Sequence, residues 1–135
     1  MNDDLTIPAP ELDELSRPFW DALKQGRLTF QRCTACGHAW LPARSDCPQC
    51  LAPDWRREDA KGGAVLVSWV VYRMAYHPAF EPRLPYTVAT VQLDEGPRMI
   101  SNIVGAEPAQ LRIDQRLQLR IEAEADFMVP RFTPA

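Results

Sequence analysis

The sequence predicts a mainly β protein: a short N-terminal helix, a four-cysteine metal ribbon and a C-terminal, five-stranded Greek-key barrel. Three observations carry that prediction. Two C-x-x-C pairs, Cys33 with Cys36 and Cys47 with Cys50, stand ten residues apart in CTACGHAWLPARSDCPQC. A single clear helical pattern, at residues 17–25, precedes them. After Gly63 the chain breaks into β-patterned runs at regular spacing, separated by connections rich in proline.

A chain of 135 residues suits a small metal-held module joined to a compact second unit. The reading divides it into an N-terminal arm and helix at 1–27, a ribbon at 28–60 and a barrel at 61–135. The formal charge of −3 and the isoelectric point near 5.3 argue against a general polyanion binder. Asp3, Asp4, Glu11, Asp13 and Glu14 make the arm acidic, and the remainder is slightly basic, with thirteen of its fifteen bases arginine. No run approaches the roughly twenty apolar residues of a membrane span, and Met1–Pro10 lacks the basic start and apolar core of a signal peptide. A cytoplasmic location is expected, where reducing conditions keep thiols available to metal.

Met1–Leu15 reads as a loose arm with one helical turn at Glu11–Leu15. Ser16 is placed to cap the helix, Pro18 suits the first turn, and Phe19, Trp20 and Leu23 recur at helical spacing before Gly26. Leu28–Arg32 alternates as a strand that delivers Cys33, and Ala39–Leu41 supplies its return. Each C-x-x-C turns a knuckle, and two knuckles complete a tetrahedral four-sulfur site for one structural zinc. Rubredoxin-like iron and a pair of disulfides are the alternatives. A closed shell leaves no position for water or substrate, so chemistry is not expected at the metal. Gly37 provides the positive φ that a knuckle favours. Leu51 follows Cys50 where glycine would do the same, which predicts a tighter or differently bonded second knuckle. His38 lies beside the first pair, with the shell already complete, and Trp40 and Trp55 are expected to cover the ribbon.

The AKGG linker at 60–63 is short and fixes the relation of the two units. Ala64–Tyr76 reads as one long strand, bent and shared between two sides of a barrel. Tyr86–Leu93, Arg98–Val104 and Arg116–Glu124 follow, and Phe127–Phe132 adds a terminal segment. Asp94–Pro97 makes a hairpin, and Glu107–Leu111 allows one helical turn. A long bent strand, a hairpin, an interrupting turn and a closing hairpin form the plan of an OB fold, whose closure removes exposed edges.

PFWDALKQGRLTFQRCTACG, then CPQC with Trp55 five residues on, GAVLVSWVV, HPAF, PYTVATVQLDEG, ISNIVG and VPRFTP resemble one family along residues 16–135. It is the zinc-ribbon plus OB-fold family of acyl-CoA-associated proteins, long catalogued as a domain of unknown function. The resemblance implies a helical N-terminus, a rubredoxin-like ribbon and a C-terminal OB domain. It also implies a small subunit beside thiolase-like enzymes (thiolases, acyltransferases, synthases or retro-aldolases) or hydratases of hot-dog fold, with acyl-CoA as a bound ligand. Leu51 departs from the glycine common in the family after the fourth cysteine.

The residues alone show no catalytic constellation: no Gly-x-Ser-x-Gly elbow, no phosphate loop, and no cysteine left over once the metal is held. His77 is the only histidine away from the ribbon, in the proline-punctuated connection AYHPAFEPRLPY. That loop is the candidate ligand or partner surface. Phe80 and Tyr86 form an apolar slot for pantetheine or an acyl chain, with Arg73 or Arg83 near a phosphate and Tyr76 beside them. Phe19 and Trp20 form a second candidate surface for the partner. The leading expectation is a non-catalytic accessory subunit in a hetero-oligomer. The alternatives are a single-stranded nucleic-acid module and a small CoA-thioester enzyme using His77 as base.

Overall fold

The computed structural model describes residues 6–135, so the first five positions of the acidic arm lie outside it. Helix α1 spans Arg17–Lys24. Ser16 occupies the cap position through its carbonyl, which accepts from the Phe19 N–H. Its hydroxyl does not cap the helix. Ser16 Oγ instead accepts from the Asp13 N–H at 3.1 Å while Asp13 Oδ1 accepts from the Ser16 N–H at 2.7 Å. Each side chain thus accepts from the other residue's backbone N–H, in a turn before the helix. At the other end Gly26, at φ +82°, lets the chain reverse into the ribbon.

The ribbon is a three-stranded antiparallel sheet: β1 (Thr29–Cys33) lies between β2 (Ala39–Trp40) and β3 (Trp55–Asp59). Strand β3 is an addition to the sequence reading. Its segment WRRED is too charged to look like a strand, but all five of its residues pair with β1, from Cys33↔Trp55 to Thr29↔Asp59. Its charges find local partners: Arg57 lies 5.2 Å from the Trp55 ring, and Glu58 accepts from Arg32 at 3.0 Å.

The remaining strands are β4 (Gly63–Tyr72), β5 (Tyr86–Leu93), β6 (Arg98–Ile103), β7 (Arg116–Glu124) and β8 (Phe127–Pro134). They close a barrel in the order β4–β5–β6–β8–β7, with β6 and β8 parallel at Ile103↔Phe132 and the other pairs antiparallel. This is the OB arrangement. Strand β4 does serve two sides: Gly63–Val65 pairs with β7, Ala64–Tyr72 pairs with β5, and a bulge between Leu66 and Ser68 makes the bend. It ends at Tyr72 and not at Tyr76. Beyond Tyr72 the sequence is still mostly apolar after Arg73, but no residue of β5 is left to pair with it. A 3₁₀ turn at Pro78–Arg83 follows. The terminal segment is a full strand to Pro134, and it is the one that closes the barrel.

Strand alternation sends Ala64, Leu66, Val91, Leu93, Leu117 and Phe132 inward, all 1% exposed or less. Leu23 of the helix and Leu28, just before β1, belong to the same buried cluster. Fully burying each leucine contributes roughly 1.5–3 kcal/mol. Helix, ribbon and barrel are therefore joined by a shared core, and the Ala60 N–H bonded to the Leu28 carbonyl at 2.8 Å sets the linker.

Candidate functional site

The two knuckles meet face to face. One sulfur from each of Cys33, Cys36, Cys47 and Cys50 lies within 4.8 Å of the others, with Cys33 to Cys50 at 3.6 Å and Cys36 to Cys47 at 3.7 Å. Zinc–thiolate bonds of about 2.3 Å in a tetrahedron require sulfur separations near 3.8 Å, so the donor set fits zinc. The backbone supports it. The N–H groups of Ala35 and Cys36 point at the Cys33 sulfur, both at 3.3 Å, and those of Gln49 and Cys50 point at Cys47, at 3.4 and 3.5 Å. The Cys36 amide, ahead of other effects, draws the Cys33 thiol down to about 7. The His38 amide favours the Cys36 thiolate too, but desolvation and the three neighbouring sulfurs together push that thiol up to about 12. Four crowded thiolates need a cation between them.

The knuckles are built alike, which corrects the expectation for Leu51. Gly37 donates to the Cys33 carbonyl at 3.0 Å and Leu51 donates to the Cys47 carbonyl at 2.8 Å. Leu51 reaches this geometry by adopting φ +66° itself, beside +82° at Gly37. Leu51 is 75% exposed, so little packing opposes that conformation. The knuckle's hydrogen bonding thus imposes the left-handed conformation whichever residue occupies it. His38 is not among the ligands and stacks on Trp40 at 6.2 Å. Trp40, buried, and Trp55 pack over Cys33 and Cys47.

The other candidates fall on three surfaces. A cleft of about 390 Å³ at one barrel end is lined by Phe80, Arg83, Tyr86, Asn102, Glu122 and Arg131, among others. The Phe80 and Tyr86 rings stand 5.7 Å apart, and Tyr72 stacks behind Tyr86 at 5.2 Å. Arg83 lines this cleft but is already engaged: its two terminal nitrogens donate to Glu124 at 2.6 and 2.9 Å. His77 stands behind the cleft, where its Nδ1 accepts from the Ala79 N–H at 3.1 Å and caps the 3₁₀ turn. Arg73 and Tyr76 lie on a separate ledge with Val70, Val71, Tyr72 and Met74. Phe19 and Trp20 line a third hollow, an apolar groove of about 420 Å³ completed by Leu41, Pro42, Ile100 and Val129, among others. Both aromatics are half-buried and pack against the barrel core, with Trp20 edge-on to Phe127 at 6.2 Å. They serve the fold and the groove together.

Sequence reading missed Glu124, Glu122 and Arg131. Glu124 is 5% exposed and takes Arg83 on one side and Arg131, at 2.7 Å, on the other. Arg131 also reaches Glu122 at 2.9 Å, and Arg120 joins the same carboxylate at 3.0 Å. The hydrogen bonds from Arg83, more than any other contact, hold the Glu124 carboxyl below the usual carboxylate range, with Arg131 adding to them against desolvation. The chain thus pins the β4–β5 connection to the β7–β8 hairpin. Strand alternation gave no signal for it: Glu124 shares the parity of the outward Gln118 and Arg120, and it is buried only because the in-out pattern of β7 breaks at the barrel's end.

Comparison with known proteins places this geometry. Residues 20–56 match the model of the ChsH2 rubredoxin-like zinc ribbon domain, and residues 57–122 match that of the ChsH2 C-terminal OB-fold domain. The chain belongs to the ChsH2 family. A DUF35 domain-containing scaffold protein of Methanothermobacter thermautotrophicus is 32% identical over 94 residues, 68% of this chain and 69% of that one. A probable enoyl-CoA hydratase alpha subunit of Thermomonospora curvata is 37% identical over 129 residues, 95% of this chain. This ChsH2-family chain spans 40% of that relative's length. Among solved structures, one described as an Ltp2-ChsH2(DUF35) aldolase superposes with a TM-score of 0.82 at 36% identity, covering 93% of this chain and 98% of that one. No helix among the described residues is long and apolar enough to cross a membrane.

Proposed function

We propose that this chain is a non-catalytic accessory subunit. It binds a thiolase-like enzyme (a thiolase, acyltransferase, synthase or retro-aldolase) or a hot-dog hydratase, and it supports acyl-CoA binding or channelling there. The observation that carries the reading is likeness, over 93% of this chain and 98% of the other, to a structure described as an Ltp2-ChsH2(DUF35) aldolase. The hydratase-alpha-subunit and scaffold names of the other relatives agree with it.

The chain's own chemistry supports the same reading. Its cysteines face one another in a closed set that would hold a single structural zinc, and the His77 Nδ1 is committed to a backbone amide. Neither is in place to act as nucleophile or base. Seven arginines, at 27, 32, 56, 83, 116, 120 and 131, are tied to carboxylates, and the net charge of −3 disfavours a nucleic-acid strand. The cleft between Phe80 and Tyr86 would receive the pantetheine arm or acyl chain, with Arg83 and Arg131 at its polar end. The groove at Phe19 and Trp20 would dock on the enzyme, where aromatic anchors contribute most. The location is the cytoplasm.

Phe80→Ala tests the ligand side. It should weaken CoA retention or assembly with the enzyme at least fivefold while leaving one zinc bound. Unchanged CoA affinity and unchanged complex stability would remove Phe80 and its cleft from the account.

A further inference from the structure

One side of β4 is unfinished. β7 pairs with it only through Gly63–Val65, whereas β5 pairs with it as far as Tyr72. Leu66 still bonds to Gln115 and Asp114 in the loop before β7, at 3.0 and 2.8 Å. From Ser68 onward no strand lies on that side among the described residues. In an antiparallel ladder successive residues aim their N–H and C=O groups to alternate sides, so about half the peptide groups of residues 68–72 face off the sheet.

Natural edges of this kind are usually charged, bulged or covered. This one is apolar. Val70 is 56% exposed, Met74 64% and Tyr76 79%. Tyr72 stiffens the end of the strand by stacking on Tyr86 at 5.2 Å and meeting Tyr76 edge-on at 5.9 Å. Arg73 is the only charged residue lining the ledge, and among the described residues it has no ion pair. The surface therefore offers a free strand edge, outward apolar side chains and one uncommitted cation.

The edge is also continuous with the groove at Phe19 and Trp20. Val70 pairs with Val88, and Val88 pairs with Asn102, which lines that groove. Two strand spacings, about 10 Å, separate them. An enzyme seated on the groove has the edge within reach.

We propose that the free edge of β4, residues 68–72, receives an extended segment of the enzyme subunit this chain accompanies, and that the segment carries a carboxylate for Arg73. The inference rests on the accessory-subunit reading above and names how the enzyme is held. Main-chain bonds along the edge supply affinity, and the carboxylate fixes register. A second copy of this chain fits less well. Antiparallel pairing across a two-fold at Val70 sets Arg73 opposite Val67 and leaves the cation without a partner.

The test uses the zinc-loaded full chain, alone and in complex with its co-expressed thiolase-like or hydratase subunit, by peptide-resolved hydrogen exchange and by titration. Amides of residues 68–72 should exchange at least tenfold more slowly in the complex. Arg73→Glu should raise the Kd at least tenfold, and Arg73→Gln, milder and without effect on folding, about threefold. A complex that forms with these amides unprotected, or with wild-type affinity for Arg73→Glu, overturns the inference and leaves the accessory reading standing. So does protection that appears in the chain alone as its concentration rises, which assigns the edge to a second copy. Loss of CoA retention without loss of assembly in Arg73→Glu would give the cation to the ligand and also overturns it. If no complex forms, both readings fall.

Discussion

Glu124→Gln tests how the β4–β5 connection is held. The substitution keeps the shape of the side chain and removes its charge, turning an NH₂ toward one of two guanidinium groups. Glu124 is 5% exposed and accepts three charge-assisted hydrogen bonds, two from Arg83 and one from Arg131. Breaking one partner of a buried ion pair typically costs about 3–5 kcal/mol. Arg83 is 43% exposed and can rehydrate, so a loss of about 2–3 kcal/mol is expected here. For a chain of this size that corresponds to a fall in Tm of roughly 6–12 °C. Urea unfolding of the zinc-loaded protein at pH 7 reads the free energy, and brief trypsin treatment reads the loop, because cleavage after Arg73 and Arg83 should accelerate. The pH dependence follows the same pair. Hydrogen bonds from Arg83 first, then Arg131, lower the folded pKa of Glu124. Its contribution is full above the ordinary carboxylate pKa of about 4.3 and disappears as pH falls through the depressed folded value. The gap between wild type and Glu124→Gln should therefore close in acid. A loss below about 0.5 kcal/mol at pH 7, with unchanged proteolysis, would mean that the loop is held by something else.

Two further outcomes concern the ribbon. Leu51→Gly should stabilise the zinc-loaded protein by roughly 0.5–1 kcal/mol, because it removes left-handed strain of about 1–2 kcal/mol at an exposed side chain and gives some back as backbone entropy. Thermal unfolding checks it, and a lower Tm would show that the leucine makes a contact worth more than its strain. Cys33→Ser should lose zinc and unfold the ribbon. Because Leu28 is shared with the barrel core, the variant should also lose barrel stability, visible as increased exchange at Leu66 and Leu117. Exchange there at the wild-type rate would mean that the barrel folds independently of the metal.

Much of this architecture was legible because it rests on local chemistry. The C-x-x-C pairs specify the metal site by spacing alone, and Tyr86–Leu93 and Arg116–Glu124 match the observed strands to the residue. Errors came where neighbours decide. WRRED becomes a strand only because β1 offers an edge, and β4 stops at Tyr72 because its pairing with β5 ends there. Ser16 has the right side chain for a cap, but Asp13 competes for it. The ion-pair chain joins Arg83 to a carboxylate 41 positions away, a pairing set by barrel closure and by no local pattern. Candidate residues that looked like one loop site also separate in space. Phe80, Arg83 and Tyr86 face the cleft, Arg73 and Tyr76 face the ledge, and His77 supports the turn between them.

The central claim is that this chain enables another protein's chemistry and has none of its own. The most direct measurement is turnover of an acyl-CoA substrate by the co-expressed thiolase-like or hydratase subunit, assayed with the chain, without it, and with the chain alone. The account predicts a stable complex, activity that depends on the chain, and no turnover by the chain alone. Full activity of the enzyme without it, or turnover by the isolated chain that disappears with His77→Ala, would contradict the account.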